Sequence, residues 1–204
     1  MITDMTSCRQ QGGRAVFLDR DGTINEEVSY LSRVEDIRLV PGASEGIKRL
    51  ARSGFRIVVV TNQSGVARGY FDEERVMEIN SALASMLAEQ GAPVHGWYFC
   101  PHHPDAAVER YRLECHCRKP APGLIEQAAG EMAIDCQGSF MIGDAIRDVE
   151  AGIRAGCRSV LVRTGHGMEA CRDGKLLRLA GEHNIHVAED LNAASLWILG
   201  QEGG

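Results

Sequence analysis

The sequence predicts an α/β protein, a parallel β-sheet covered by helices on both faces. Two observations carry this. Short, often β-branched apolar runs recur along the chain, each ending in a polar or Gly-containing turn. Between them lie segments with apolar residues at helical spacing, and strands alternating with helices build parallel sheets through crossover units. Residues 15–18 open the series as a buried strand. Residues 43–53 read as a helix closed by Gly54. Residues 57–60 are the second strand. The clearest helix covers 72–90, where Val76, Ile79, Leu83, Met86 and Leu87 share one face. Asp72 suits its N-cap, Glu73 and Glu74 its positive end, and Gly91 its exit. Strands follow at 97–99, 140–142 and 160–162, with helices at 123–132 and 146–155. Weaker helical patterns cover 169–180 and 191–199.

The chain has 204 residues, 44% hydrophobic and 25% charged, the balance of a folded globular protein. That length suits an N-terminal tail over 1–13 followed by a single domain over 14–204. A net charge of -6 excludes an extensive basic face, so nucleic acid is not an expected partner. A small phosphate ester needs only a few local cations. No apolar stretch near the start reads as a signal peptide. No run approaches the roughly 18 apolar residues that cross a bilayer. The expectation is a cytoplasmic protein with no membrane partner. Seven cysteines in a reducing compartment point to metal ligation or packing before disulfides.

Directly after the first strand comes Asp19-Arg20-Asp21-Gly22-Thr23. Two carboxylates two residues apart repel unless a cation neutralises them, and hard divalent cations prefer carboxylate oxygen. One could attack phosphorus and the other act as general acid and base. A solvated turn carries the same residues, so the pair needs company. It has company. Thr61-Asn62-Gln63-Ser64-Gly65 follows the second strand, Arg118-Lys119-Pro120 sits in a loop, and Gly143-Asp144 ends the fourth strand with Asp148 four residues on. Thr61 can donate to a phosphate, Lys119 offers a mobile point charge, and Asp144 can ligate a cation or cap a helix.

These four segments, in this order, resemble the motifs of the haloacid dehalogenase superfamily over residues 14–165. The resemblance implies a three-layer Rossmann-like domain with no large cap domain. It implies Asp19 as nucleophile, Asp21 as acid and base, and Thr61 and Lys119 holding the transferring phosphoryl group. Mg2+ would be held by Asp19, Asp144 and, through its backbone carbonyl, Asp21. Asp148 reads either as a supporting group or as an exposed helical acid.

Residues 101–122 are rich in Cys, His, Arg and Pro and poor in periodicity, a long loop that needs a staple. Cys100 and His102, then Cys115 and Cys117, form two tight ligand pairs suited to tetrahedral Zn2+. Four ligands leave no open position, so the site reads as a structural zinc-stapled loop over about 100–117. His103 and His116 are spare candidates. Cys8, Cys136, Cys157 and Cys171 show no such partners and read as packing or surface thiols.

The loop ending Cys-Arg-Lys-Pro, with Thr61–Gly69, narrows the resemblance to the heptose 1,7-bisphosphate 7-phosphatases. That family implies a small phosphorylated sugar as partner and a pocket shaped by three short insertions. Here they are the stretch Glu27, Val28, Ser29 and Tyr30, the turn around Ser64 beside Asn62 and Gln63, and the zinc loop. Arg118 would contact the substrate. Small insertions in place of a cap suggest a monomer. Position 145 departs from the family, carrying Ala145 where a lysine is common. A histidinol-phosphate phosphatase shares the motifs, whereas a non-catalytic zinc-stapled binding protein would have lost a motif residue, and none is lost here. Ser64 after Thr61-Asn62-Gln63 favours the sugar.

Overall fold

The computed structural model describes residues 12–201. Among them, six strands pair into one parallel sheet: β1 (Ala15–Leu18), β2 (Arg56–Asn62), β3 (Gly96–Cys100), β4 (Phe140–Gly143), β5 (Arg158–Val162) and β6 (Ile185–Ala188). Their order is β3-β2-β1-β4-β5-β6. The helices are α1 (Ala43–Arg52), α2 (Ser64–Ala67), α3 (Glu73–Glu89), α4 (Gly123–Met132), α5 (Ile146–Arg154), α6 (Gly167–Ala170), α7 (Gly174–Glu182) and α8 (Leu191–Gly200). No helix is long and apolar enough to cross a membrane among the described residues.

The alternation of side chains along each strand builds a core on either face. Val16, Leu18, Ile57, Val59, Phe140 and Ile142 point to one face, where Ile47 and Leu50 of α1, Ile79 and Leu83 of α3, and Ile198 of α8 meet them. Ala15, Phe17, Val58, Val60 and Met141 point to the other, against Leu124, Ile125 and Ala128 of α4 and Ala151 of α5. Both faces are covered, which is why these strands are apolar runs rather than alternating patterns.

Most elements fall where the sequence placed them. Asp72 caps α3, accepting a hydrogen bond from the Arg75 N–H at 2.9 Å. Three expectations change. The weak helix over 169–180 divides into α6 and α7, because the Asp173 side chain accepts from the Lys175 N–H at 2.8 Å and starts a new helix. The edge strand β6 has no counterpart among the expected strands. It is four residues long and carries His186, so it lacks an apolar run. The loop 101–122 has a small core of its own, in which Ala106 and Tyr111 are buried with Val66 and Val76. Of the expected tail, residues 1–11, Cys8 included, lie outside the described residues, and Gly13 bridges to Ile134.

Phe140 sits at the centre of the larger core. Its ring lies 6.0 Å from Phe55 and 6.1 Å from Trp197, both edge-on, with the Arg158 guanidinium 3.9 Å from its centroid. Phe140→Ala should therefore cost about 3–5 kcal/mol in chemical denaturation. A loss under 1 kcal/mol would contradict this packing.

Candidate active site

β1 and β4 are neighbours, yet the chain runs outward from β1 through β2 to β3 before returning to β4. In open parallel sheets the crevice at such a reversal receives the ligand. Asp19 follows β1, Asp144 follows β4, and Thr61 lies near the end of β2. Periodicity alone thus carries three motif residues to one crevice.

Lys119 is buried beneath it, not mobile and not at the surface. Its Nζ lies 2.8 Å from Asp19 Oδ1, 2.8 Å from Asp148 Oδ1 and 2.8 Å from the Val60 carbonyl. Burial opposes its charge, but Asp148 and Asp19 outweigh that and raise its pKa. Asp148 is fully buried and its Oδ2 accepts from the Ala145 N–H at 3.0 Å. This resolves its alternatives: it anchors Lys119 rather than facing solvent. Asp19 is raised, chiefly by burial, with Lys119 pulling down and Asp148 pushing up.

Asp144 is the acid with least support. Its Oδ2 accepts from the His166 N–H at 2.8 Å, while the buried Oδ1 has no hydrogen-bond partner. Burial, then Asp19 and Asp148, push its pKa up to about 8. Gly22 (φ 76°) and Gly165 (φ 53°) hug this carboxylate, and a Cβ at either would overlap Oδ2. Carboxylate oxygens of Asp19, Asp144 and Asp148 lie within 4.8 Å of one another. An orphaned buried oxygen between two acids is a set of donors that fits a hard divalent cation. Asp148 is already spent on Lys119, leaving Asp19 and Asp144 for the ion.

Asp21 is held differently. Arg20, 1% exposed, reaches back to Asp21 Oδ2 at 2.9 Å and donates to Asn80 Oδ1 of α3 at 3.0 Å. Asn25 Nδ2 donates to Asp21 Oδ1 and Gln63 Nε2 to Oδ2, each at 2.9 Å. Burial alone would raise this carboxyl, but Arg20 and these hydrogen bonds outweigh it and lower the pKa. Gln63 also donates to Thr61 Oγ1 at 2.9 Å. Asn62 spends both polar atoms on the Lys119 backbone, accepting from its N–H and donating to its carbonyl, each at 3.0 Å.

Above this floor lies a cavity of about 290 Å³. Asp19, Asp21, Thr61, Asn62, Gln63, Ser64 and Arg118 line it, with the whole stretch Glu27, Val28, Ser29 and Tyr30 as one wall. Burial, then Asp21, raise the Glu27 pKa. Tyr30 stacks edge-on against Tyr70 at 4.7 Å. Three lining residues, Leu31, Arg147 and His166, escaped the sequence reading.

The cysteine-histidine loop closes as its spacing suggested. Cys100, Cys115, Cys117 and His102 Nδ1 form one group, with contacts of 3.1 Å (Cys117–Cys100), 3.2 Å (Cys117–Cys115), 3.5 Å (Cys100–Cys115), 3.4 Å (His102–Cys117) and 3.7 Å (His102–Cys100). A tetrahedron with bonds of about 2.3 Å sets its corners about 3.8 Å apart, so the donors fit one zinc ion. The hydrogen bond with Cys100 leads those that bring the Cys117 thiol down to about 5 against burial. The spare histidines are elsewhere: His116 Nε2 lies 2.5 Å from Glu126, and His103 receives the Asp105 N–H. Cys136 and Cys157, read as unpartnered, hydrogen-bond to each other.

Comparison with known proteins follows the same lines. The HAD-hydrolase-like family model matches residues 116–194. The D-glycero-beta-D-manno-heptose-1,7-bisphosphate 7-phosphatase of Photorhabdus laumondii is 47% identical over 76% of this chain and 83% of its own. The D-glycero-D-manno-heptose-1,7-bisphosphate 7-phosphatase of Chlorobaculum tepidum is 40% identical over 94% of this chain and 97% of its own. The chain belongs to the heptose-1,7-bisphosphate 7-phosphatase family. Its fold agrees with the D,D-heptose 1,7-bisphosphate phosphatase of B. bronchiseptica, solved with magnesium and phosphate. The TM-score is 0.78 at 32% identity, covering 92% of this chain and 99% of that one. Membership makes this an enzyme of the haloacid dehalogenase-like phosphatases.

Among the residues the sequence reading missed, Arg20 stands inside the first motif and could have been singled out there. Asn80 could not, because its tie to Arg20 spans 60 residues of chain.

A raised Asp144 pKa has a measurable consequence. Below about pH 8 the metal-free protein holds a proton that a cation must displace, so magnesium affinity should rise with pH towards 8 and then level. Calorimetry in two buffers of different ionisation enthalpy should show proton release on binding, and none would refute the protonated Asp144. Stripping the cysteine-histidine cluster with a strong chelator should release zinc and lower the melting temperature, whereas Cys136→Ser should leave zinc content unchanged.

Proposed function

We propose that this protein removes the C7 phosphate of D-glycero-D-manno-heptose 1,7-bisphosphate by way of an aspartyl-phosphate, in the synthesis of nucleotide-activated heptose. The observation that carries the reading is the Lys119 ammonium bridging Asp19 and Asp148 at the floor of the cavity, 2.8 Å from each. A cation held against the nucleophile can neutralise a phosphoryl group as it transfers.

Asp19 attacks phosphorus in line and becomes phosphorylated, while Asp21 gives a proton to the departing C7 oxygen. Asp21, now the conjugate base, takes a proton from the water that cleaves the aspartyl-phosphate. Arg20 with Asn25 and Gln63 keeps the Asp21 carboxyl aimed in both duties. Thr61 and Lys119 steady the equatorial oxygens, and Asn62 fixes the Lys119 backbone. Glu27 to Tyr30, Asn62 to Ser64 and Arg118 enclose the sugar. Magnesium, held by Asp19, Asp144 and the Asp21 carbonyl, would supply Lewis-acid charge neutralisation. Zinc on Cys100, His102, Cys115 and Cys117 would serve structure, setting the position of Arg118 and Lys119, which follow Cys117 directly. The same reading has one domain over 14–204 acting as a monomer in the cytoplasm.

Phosphate release from heptose 1,7-bisphosphate should far exceed that from histidinol phosphate and be abolished in Asp19→Asn. The reverse preference would keep the chemistry and discard the heptose. Asp21→Asn supplies a second check. With p-nitrophenyl phosphate, whose leaving group needs no proton, it should give a burst of phenolate followed by slow turnover, because hydrolysis of the aspartyl-phosphate lacks its base. A linear trace at the wild-type rate would remove Asp21 from the mechanism.

A further inference from the structure

Two thiols outside the zinc cluster stand together. Cys136 lies in the turn between α4 and β4, and Cys157 immediately precedes β5. The backbone brings these turns side by side. β4 and β5 are parallel neighbours with Phe140 opposite Arg158. The Ser139 carbonyl accepts from the Arg158 N–H at 3.1 Å, and the Ser139 N–H donates to the Cys136 carbonyl at 3.0 Å. Cys157 belongs to the core beneath α4 and α5, and Cys136 packs against that core. The two thiols hydrogen-bond to each other. They differ in access, since Cys136 is half-buried and Cys157 is 7% exposed. The pair is separate from the zinc donors. Cys100 closes β3 at the C-terminal edge of the parallel sheet, whereas Cys136 and Cys157 precede β4 and β5 at its N-terminal edge. A surface cavity of about 240 Å³, lined by Cys157 with Gly156, Ser159 and His183, adjoins the pair on one side.

We propose that Cys136 and Cys157 form a redox-active dithiol site that reacts with low-molecular-weight disulfides, Cys136 attacking and Cys157 resolving. Thiols already in contact are a short movement from bonding distance. Cys136 is the more accessible of the two, and the attacking species is a thiolate. The hydrogen bond from Cys157 lowers the Cys136 pKa against burial, while the same bond, then burial, raises Cys157. Cys136 gives its proton to solvent and its sulfur attacks one sulfur of the incoming disulfide. A mixed disulfide forms, and the first thiolate leaves and takes up a proton. The Cys157 sulfur then attacks that of Cys136. Its proton goes to the second departing thiolate. Two protein thiols are oxidised to one disulfide, and the incoming disulfide is reduced to two thiols. The new bond joins the turn after α4 to the turn after α5, at the sheet edge opposite Asp19 and Asp144.

The test incubates reduced, zinc-loaded protein with excess glutathione disulfide at neutral pH, blocks the remaining thiols and maps the peptides by mass spectrometry. Wild type should yield a peptide pair joined through Cys136 and Cys157, with the loss of two hydrogen atoms, and dithiothreitol should reverse it. Cys157→Ser should stop one step earlier, with glutathione retained on Cys136. Cys136→Ser should leave Cys157 unmodified. Wild type in which both thiols stay free would overturn the proposal, as would wild type that keeps glutathione on Cys136 beside a free Cys157. Linkage of Cys136 to a zinc ligand instead would overturn it too. Glutathione on Cys157 in Cys136→Ser, formed as fast as the disulfide in wild type, would refute the assignment of the attacking thiol.

Discussion

One buried junction organises this molecule. Lys119 Nζ meets Asp19, Asp148 and the Val60 carbonyl at a single point. Those groups belong to the ends of β1 and β2, the loop after the cysteines, and α5. Taking three charges out of water is costly, and removing one partner leaves the others uncompensated. The surroundings therefore satisfy it closely. Asn62 grips the Lys119 backbone from β2, and Asp148 accepts from the N–H that opens α5. The four-donor cluster ends two residues before Lys119, so whatever orders that cluster also sets the lysine.

The imbalance left over is what makes the crevice chemical. Lys119 neutralises part of the charge of Asp19 and Asp148, while the His166 N–H and the Arg147 charge offset the burial of Asp144 only in part. The two glycines that enclose it exclude side chains, and one of its oxygens is left bare. Asp21, two residues from Asp19, has the opposite fate because Arg20 turns back onto it. Two carboxylates of one motif thus differ in environment, Asp19 raised and Asp21 lowered.

Much of this was legible in the sequence. Each motif sits at a strand end or in the loop beside the cysteines, and strands found from apolar runs alone place those ends together. The cysteine-histidine set was legible because a metal demands few ligand types at short spacing. What failed did so for physical reasons. β6 is an edge strand with a polar centre, so burial did not write itself into its sequence. The burial of Lys119 was not legible because its partners, Asp19 and Asp148, are 100 and 29 residues away. Cys136 and Cys157 looked solitary because 21 residues and a strand separate them.

The sequence by itself determined the architecture and the chemical vocabulary: strand-helix alternation, two acids after the first strand, a threonine, a lysine, a last acid, and four metal donors. These are local signals, set by periodicity and by the residue types that a reaction needs. The tertiary structure decided how that vocabulary is used. It buried Lys119 between two carboxylates, turned Asp148 inward and spent Asn62 on a backbone. Desolvation and pairing depend on what arrives from distant parts of the chain, and no local pattern records them.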